Sequence, residues 1–84
     1  MGQNSVDERV RQILAQHGRL PTPVEQLQAD SDLYKAGLTS LATVGLMLAL
    51  EDQFEIEFPD GLLSRRTFGS INAITAAVEQ LTGK

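Results

Sequence analysis

The chain has 84 residues, eleven Asp and Glu against seven Lys and Arg, a net charge of −4, one histidine and no cysteine. At this length a folded chain buries only about 60–65% of its unfolded surface, which leaves room for one small domain spanning residues 1–84. The missing cysteines exclude disulfides, thiolate metal sites and thiol catalysis. A lone His17 excludes a multi-histidine metal centre, and the acidic balance argues against nucleic acid, whose phosphates call for clustered basic side chains.

The N-terminus has no basic-then-apolar signal layout, and the myristoylation pattern opened by Gly2 fails at Val6, so a soluble cytoplasmic chain is expected. Residues 5–17 read as a helix. Ser5 with Glu8 makes a capping box, Val6, Val10, Ile13 and Leu14 form one apolar stripe, and Gly18 stands where a left-handed C-cap belongs. Residues 18–38 carry Pro21, Pro23, Gly37 and the polar run Asp30-Ser31-Asp32, which forbid a regular helix; Val24 to Gln28 suit a short turn. A loop this long in so small a domain must be pinned, with Leu20, Leu27, Leu33 and Tyr34 as the expected pins.

A second helix is predicted over 40–54 with Thr39 as its N-cap, followed by a turn at Phe58, Pro59, Asp60 and Gly61 and a short helical turn near 62–66. Ser70 caps a last helix over 71–81, in which Ile71, Ile74, Val78 and Leu81 share a face and Gly83 ends the run. No segment alternates with a two-residue period. The expected fold is all-α, a bundle of three main helices with a short helical turn and a long first loop. Its core is expected between the second and last helices, with Met47, Leu50 and Phe54 on one side and Phe58, Phe68, Ile71, Ile74 and Val78 on the other.

The second helix is apolar on more than one side. Its longest apolar run, Leu41 to Leu50, spans about half a membrane and is broken by Thr43 and Gly45. At about 100° per residue, Thr43, Leu46, Met47, Leu50 and Phe54 form one face, assigned to the core, while Leu41, Val44 and Leu48 fall roughly opposite. Either the first loop folds over this second stripe or the stripe waits for a partner. Ser40 begins the helix beside it. With Thr39 as cap, Ser40 is the first helical residue, where unpaired N–H groups and the helix dipole favour a phosphate, although a serine at a helix start also reads simply as a cap.

No catalytic constellation accompanies Ser40. The only histidine belongs to the end of the first helix, and Gly37-Leu38-Thr39-Ser40-Leu41 is not a nucleophile elbow. Asp30-Ser31-Asp32 starts like a calcium loop, but Tyr34, Lys35 and Leu41 replace the later ligand, glycine and glutamate. The acids Glu51, Asp52, Glu55, Glu57 and Asp60 read as a solvated helix end, and Arg65-Arg66 as surface charge.

Over nearly its whole length the chain resembles the phosphopantetheine-dependent acyl carrier proteins. The match rests on Asp32-Leu33-Tyr34-Lys35-Ala36-Gly37-Leu38-Thr39-Ser40-Leu41, then Val44, Leu50-Glu51-Asp52-Gln53-Phe54 and Phe58-Pro59-Asp60. The family pattern is an Asp and a hydrophobic residue, then Gly-Leu-Asp-Ser-Leu, then a helix ending Leu-Glu-x-x-Phe before Phe-Pro-Asp. The resemblance implies that Ser40 receives the 4′-phosphopantetheine arm of coenzyme A from a phosphopantetheinyl transferase. It further implies a carrier, not an enzyme, that holds an acyl or aminoacyl thioester on the arm for loading ligases or transferases and downstream synthases. Thr39, Leu41, Val44, Gly45 and Leu48 become the implied docking surface, and the carrier is expected to be a monomer.

Three departures bear on the pathway. Thr39 replaces the family's Asp, Ala42 and Gly45 stand where fatty-acid carriers place acids, and Arg65-Arg66 follows where many relatives are acidic. A dedicated carrier of a specialised pathway, such as secondary metabolite biosynthesis, therefore suits the chain better than a general fatty acid carrier. The reading from another class is a small helical interaction domain with an unmodified Ser40.

Overall fold

Three runs of apolar residues spaced three and four apart become three helices. A computed structural model of the chain describes residues 6–83, with α1 at Val6–His17, α2 at Ser40–Phe54 and α3 at Ile71–Thr82. Two 3-10 turns, Val24–Gln26 and Asp60–Leu62, interrupt the connecting loops. The fold is the all-α bundle with a long first loop that the periodicity predicts.

α1 buries Val10, Ile13 and Leu14, with Val6 packed partly against them. The Ser5 capping box lies outside the described residues; within them, Asp7 and Glu8 in the first turn and His17 in the last suit the helix dipole. The expected left-handed cap at Gly18 is corrected: Arg19, at φ 54°, takes that conformation. Gly18 is glycine for space instead. Its N–H donates to the Leu14 carbonyl at 2.7 Å, and a Cβ there would lie 2.7 Å from Leu14 Cδ1 and 2.8 Å from Leu14 O.

The first loop is pinned from both sides. Leu33 is fully buried and Leu20, Leu27 and Tyr34 are partly so, joined by Val24 and Leu38, which the sequence reading left out. The Arg11 guanidinium donates to the carbonyls of Val24 and Leu27 at 3.3 and 3.1 Å. Leu33 N–H donates to Gly69 O at 2.8 Å and Asn72 N–H to Ala29 O at 2.9 Å, so the loop is stitched to the start of α3. Asp32 finds its role here, its carboxylate accepting from the N–H groups of Tyr34 and Lys35. Gly37, at φ 117°, closes the turn that leads into α2.

α2 starts and stops by side-chain and backbone caps. Thr39 Oγ1 accepts from Ala42 N–H at 3.0 Å, and Glu55 ends the helix at φ 55° with its N–H on Glu51 O. The face assigned to the core needs correction. Ala42, Leu46 and Leu50 are the buried positions, while Thr43, Met47 and Phe54 are only partly covered. The buried face is centred on these three positions, where α2 packs mainly against α1 and only sparingly against α3. Phe54 lies beneath the Arg9 guanidinium, 4.3 Å from its ring centre, and Arg9 also donates to Gln53 O at 3.0 Å.

The core location is also corrected. α1 packs against both α2 and α3, whereas α2 and α3 meet more sparingly, so Val10, Ile13 and Leu14 occupy the centre with Leu46, Leu50, Ile71, Ile74 and Val78. Phe58 and Phe68 are buried against each other, ring centres 5.4 Å apart. The helical turn expected near 62–66 comes two residues earlier, at Asp60–Leu62, and residues 65–68 form ordinary hydrogen-bonded turns. Ser70 caps α3 through Ala73 N–H at 3.0 Å, and Gly83, at φ 78°, ends it. Among the described residues no helix is long and apolar enough to cross a membrane, and no group of metal-ligating side chains comes together.

Candidate functional site

The site grows out of the junction between the first loop and α2. The Asp32 turn, Leu38 in the core and the Gly37 kink fix the entry of the chain, and Thr39 consumes the capping position. Ser40 is thereby left as an exposed first helical residue whose hydroxyl the cap does not need. Intrahelical geometry leaves the N–H groups of Ser40 and Leu41 open beside it. Thr43 Oγ1 donates to Thr39 O at 2.7 Å and stiffens the same turn.

Among the described residues the second stripe of α2 stays largely open to solvent. Leu41, Val44 and Leu48 are 83%, 50% and 55% exposed, and Leu63 from the following loop adds 45%. Gly45 sits among them with no atom within 4 Å of where a Cβ would stand. The structure thus brings Ser40, Leu41, Val44, Gly45 and Leu48 onto one accessible surface, with Thr39 exposed at its edge.

Beside this surface runs a groove of about 360 Å³ between α2 and the 63–68 loop. Ser40, Thr43, Val44 and Met47 form one wall, and Tyr34, Leu63, Ser64, Arg65 and Phe68 form the other. Arg65 is the single charged residue of that lining, its guanidinium 4.1 Å from the centre of the Tyr34 ring. Sequence alone marks Arg65 as surface charge and Tyr34 as a pin of the first loop and gives no sign that the two meet. No spacing rule connects residues 31 positions apart, since their contact depends on the loop being stitched to α3.

Among the groove-lining residues Ser40 has Tyr34, Thr43, Val44, Met47, Leu63, Ser64, Arg65 and Phe68 for company, and its exposed hydroxyl opens onto their shared surface. A family model described as the phosphopantetheine attachment site matches residues 8–78. The chain belongs to the phosphopantetheine-binding carrier proteins. The carrier is 54% identical over 70 residues to an aminoacyl carrier protein of Agrobacterium fabrum, covering 83% of this chain and 84% of that one. It is 33% identical over 91 residues to an acyl carrier protein of Akkermansia muciniphila, across 99% of this chain and 100% of that one.

A solved structure extends the likeness. A carrier protein from Agrobacterium tumefaciens, crystallised with an engineered glycine:carrier protein ligase of Bradyrhizobium japonicum and ATP, superposes with a TM-score of 0.88 at 50% identity. The match covers 90% of this chain and 99% of that chain. The residues present fit a phosphopantetheine arm: an exposed hydroxyl, open N–H donors for a phosphate and a groove mostly of apolar side chains running away from it. When bound, the arm supplies a terminal thiol on which a carried acyl group is held as a thioester. The protein is a carrier and not an enzyme.

Proposed function

We propose that Ser40 bears the 4′-phosphopantetheine arm and that the cargo is an amino acid, loaded by an ATP-dependent amino acid:carrier protein ligase. The observation that carries the attachment reading is the division of labour at α2. Thr39 supplies the cap, and Ser40, next along, is exposed with its hydroxyl free of that duty. The aminoacyl cargo is supported by the likeness to the Agrobacterium carriers, one named as aminoacyl and one crystallised with a glycine ligase.

The docking surface is Leu41, Val44, Gly45 and Leu48 with Thr39 at its edge, and Leu63 extends it. Its first two helical turns hold no acid, so hydrophobic burial supplies most of the docking energy and long-range steering contributes little. A specialised aminoacyl pathway in the cytoplasm is the setting this surface supports over general fatty acid synthesis. The test is to load the phosphopantetheinylated carrier with glycine, ATP and a glycine:carrier protein ligase and to read the intact mass. One glycyl group per arm supports the proposal. A carrier that accepts no amino acid yet is elongated by fatty acid enzymes at their own carrier's rate contradicts it.

A further inference from the structure

We propose that the Arg65 guanidinium, stacked on Tyr34 at the rim of the groove that contains Ser40, binds the phosphodiester of the arm and fixes the direction in which the arm leaves the protein. The inference rests on Ser40 as the attachment residue and adds a positioning role for two side chains outside α2.

Three observations converge. The first is location: Ser40, Tyr34 and Arg65 line one groove, so an anion bonded to Ser40 Oγ and the guanidinium share a single small volume. The second is charge. The chain carries eleven acids and a net charge of −4, yet no acid lines this groove and none occupies the first turn of α2. An anion at Ser40 therefore meets Arg65 without a competing carboxylate from the groove walls. The third is pre-organisation. A guanidinium on an exposed loop ordinarily samples many rotamers, but this one lies 4.1 Å from the Tyr34 ring centre, in cation–π contact. Tyr34 is in turn held by its backbone, its N–H on Asp32 Oδ1 at 3.0 Å. The contact with the ring holds the guanidinium by its charge and not by a hydrogen bond, and the N–H edge of a guanidinium matches two phosphate oxygens.

Arg66, the adjacent cation, is exposed and does not line the groove, which makes it an internal control. Once anchored between Arg65 and the open N–H groups of α2, the phosphodiester directs the rest of the arm between the apolar side chains of Val44 and Met47 on one wall and Leu63 on the other.

The experiment compares apo and fully phosphopantetheinylated protein, the conversion being read by intact mass. It records the arginine Nε–Hε and tyrosine ring resonances by NMR at low and at high salt. The expected result is that attachment moves the Arg65 and Tyr34 signals and leaves Arg66 in place. At low salt the Arg65 Nε–Hε proton should exchange with water several-fold more slowly in the modified protein, and high salt should remove most of that difference. Arg65→Gln and Tyr34→Leu should each reduce the change in the ³¹P shift of the arm between low and high salt, whereas Arg66→Gln should retain it. Complete mass conversion with unchanged Arg65 and Tyr34 signals overturns the clamp while leaving attachment intact. Failure of the mass to change overturns the attachment reading instead.

Discussion

Glu51 Oε2 accepts a hydrogen bond from the backbone N–H of Phe58 at 2.9 Å. The bond reaches from the last turns of α2 across the left-handed Glu55 to the buried Phe58, and so fixes the loop that carries Leu63 and Arg65 to the groove. Glu51 is a fastener, where its place in a run of acids suggested a solvated helix end. Glu51→Ala leaves a partly buried N–H without its partner and should cost about 1–2 kcal/mol in urea denaturation. Glu51→Gln keeps an acceptor oxygen and should lose less than half of that.

The rotated face of α2 orders two core substitutions. Leu50 is fully buried, so Leu50→Ala should cost about 3–5 kcal/mol. Phe54 is half-buried beneath Arg9, and its truncation should cost about 1–3 kcal/mol, with Arg9→Ala alone reproducing part of the same loss. A larger loss at Phe54 than at Leu50 in matched denaturation curves would contradict this burial pattern.

Two glycines should respond in opposite directions. At Gly37, φ 117° strains any side chain, and a Cβ would lie 2.6 Å from Pro21 Cδ, so Gly37→Ala should destabilise by about 1–3 kcal/mol. At Gly45 a Cβ meets nothing, and Gly45→Ala should stabilise by up to about 1 kcal/mol through helix propensity. Because Gly45 lies on the proposed docking surface, the same variant should raise the KM of the loading ligase, and Gly45→Glu should raise it further. Calorimetry and loading kinetics on one pair of variants therefore separate stability from recognition.

The helices were legible in the sequence because each is local: the cap at Thr39 and the cap and stop at Ser70 and Gly83 all sit within four residues of what they organise. The candidate serine and its apolar neighbours were legible for the same reason, through helical spacing. What escaped was set by distant partners. Arg19 and Glu55 take the left-handed conformation although neither is glycine, and no residue-type signal announces it. Periodicity assigned Met47 and Phe54 to the core but could not say from which side α1 and the loop would arrive. The Tyr34–Arg65 contact depends on the Leu33–Gly69 and Ala29–Asn72 hydrogen bonds, which join segments with no pattern in common.

The exposed stripe should be energetically silent until a partner arrives. Leu41→Ala and Val44→Ala should each change folding stability by less than about 0.5–1 kcal/mol, since Leu41 is mostly exposed and Val44 half exposed at the groove edge. Both should reduce ligase loading several-fold and more than Glu51→Gln does, with a shallow dependence on salt. General fatty acid enzymes should work poorly on the wild type and better after Thr39→Asp with Gly45→Glu. Equal loading of the wild type and the stripe variants would move the docking surface elsewhere.

Ser40 is the proposed attachment residue of this carrier. Intact-mass measurement after incubation with coenzyme A, magnesium and a broad-specificity phosphopantetheinyl transferase decides the assignment. The predicted result is a gain of one phosphopantetheine in the wild type and none in Ser40→Ala, with both proteins equally folded by circular dichroism. An unchanged mass in the wild type with several such transferases, or an equal gain in a folded Ser40→Ala protein, would contradict the assignment.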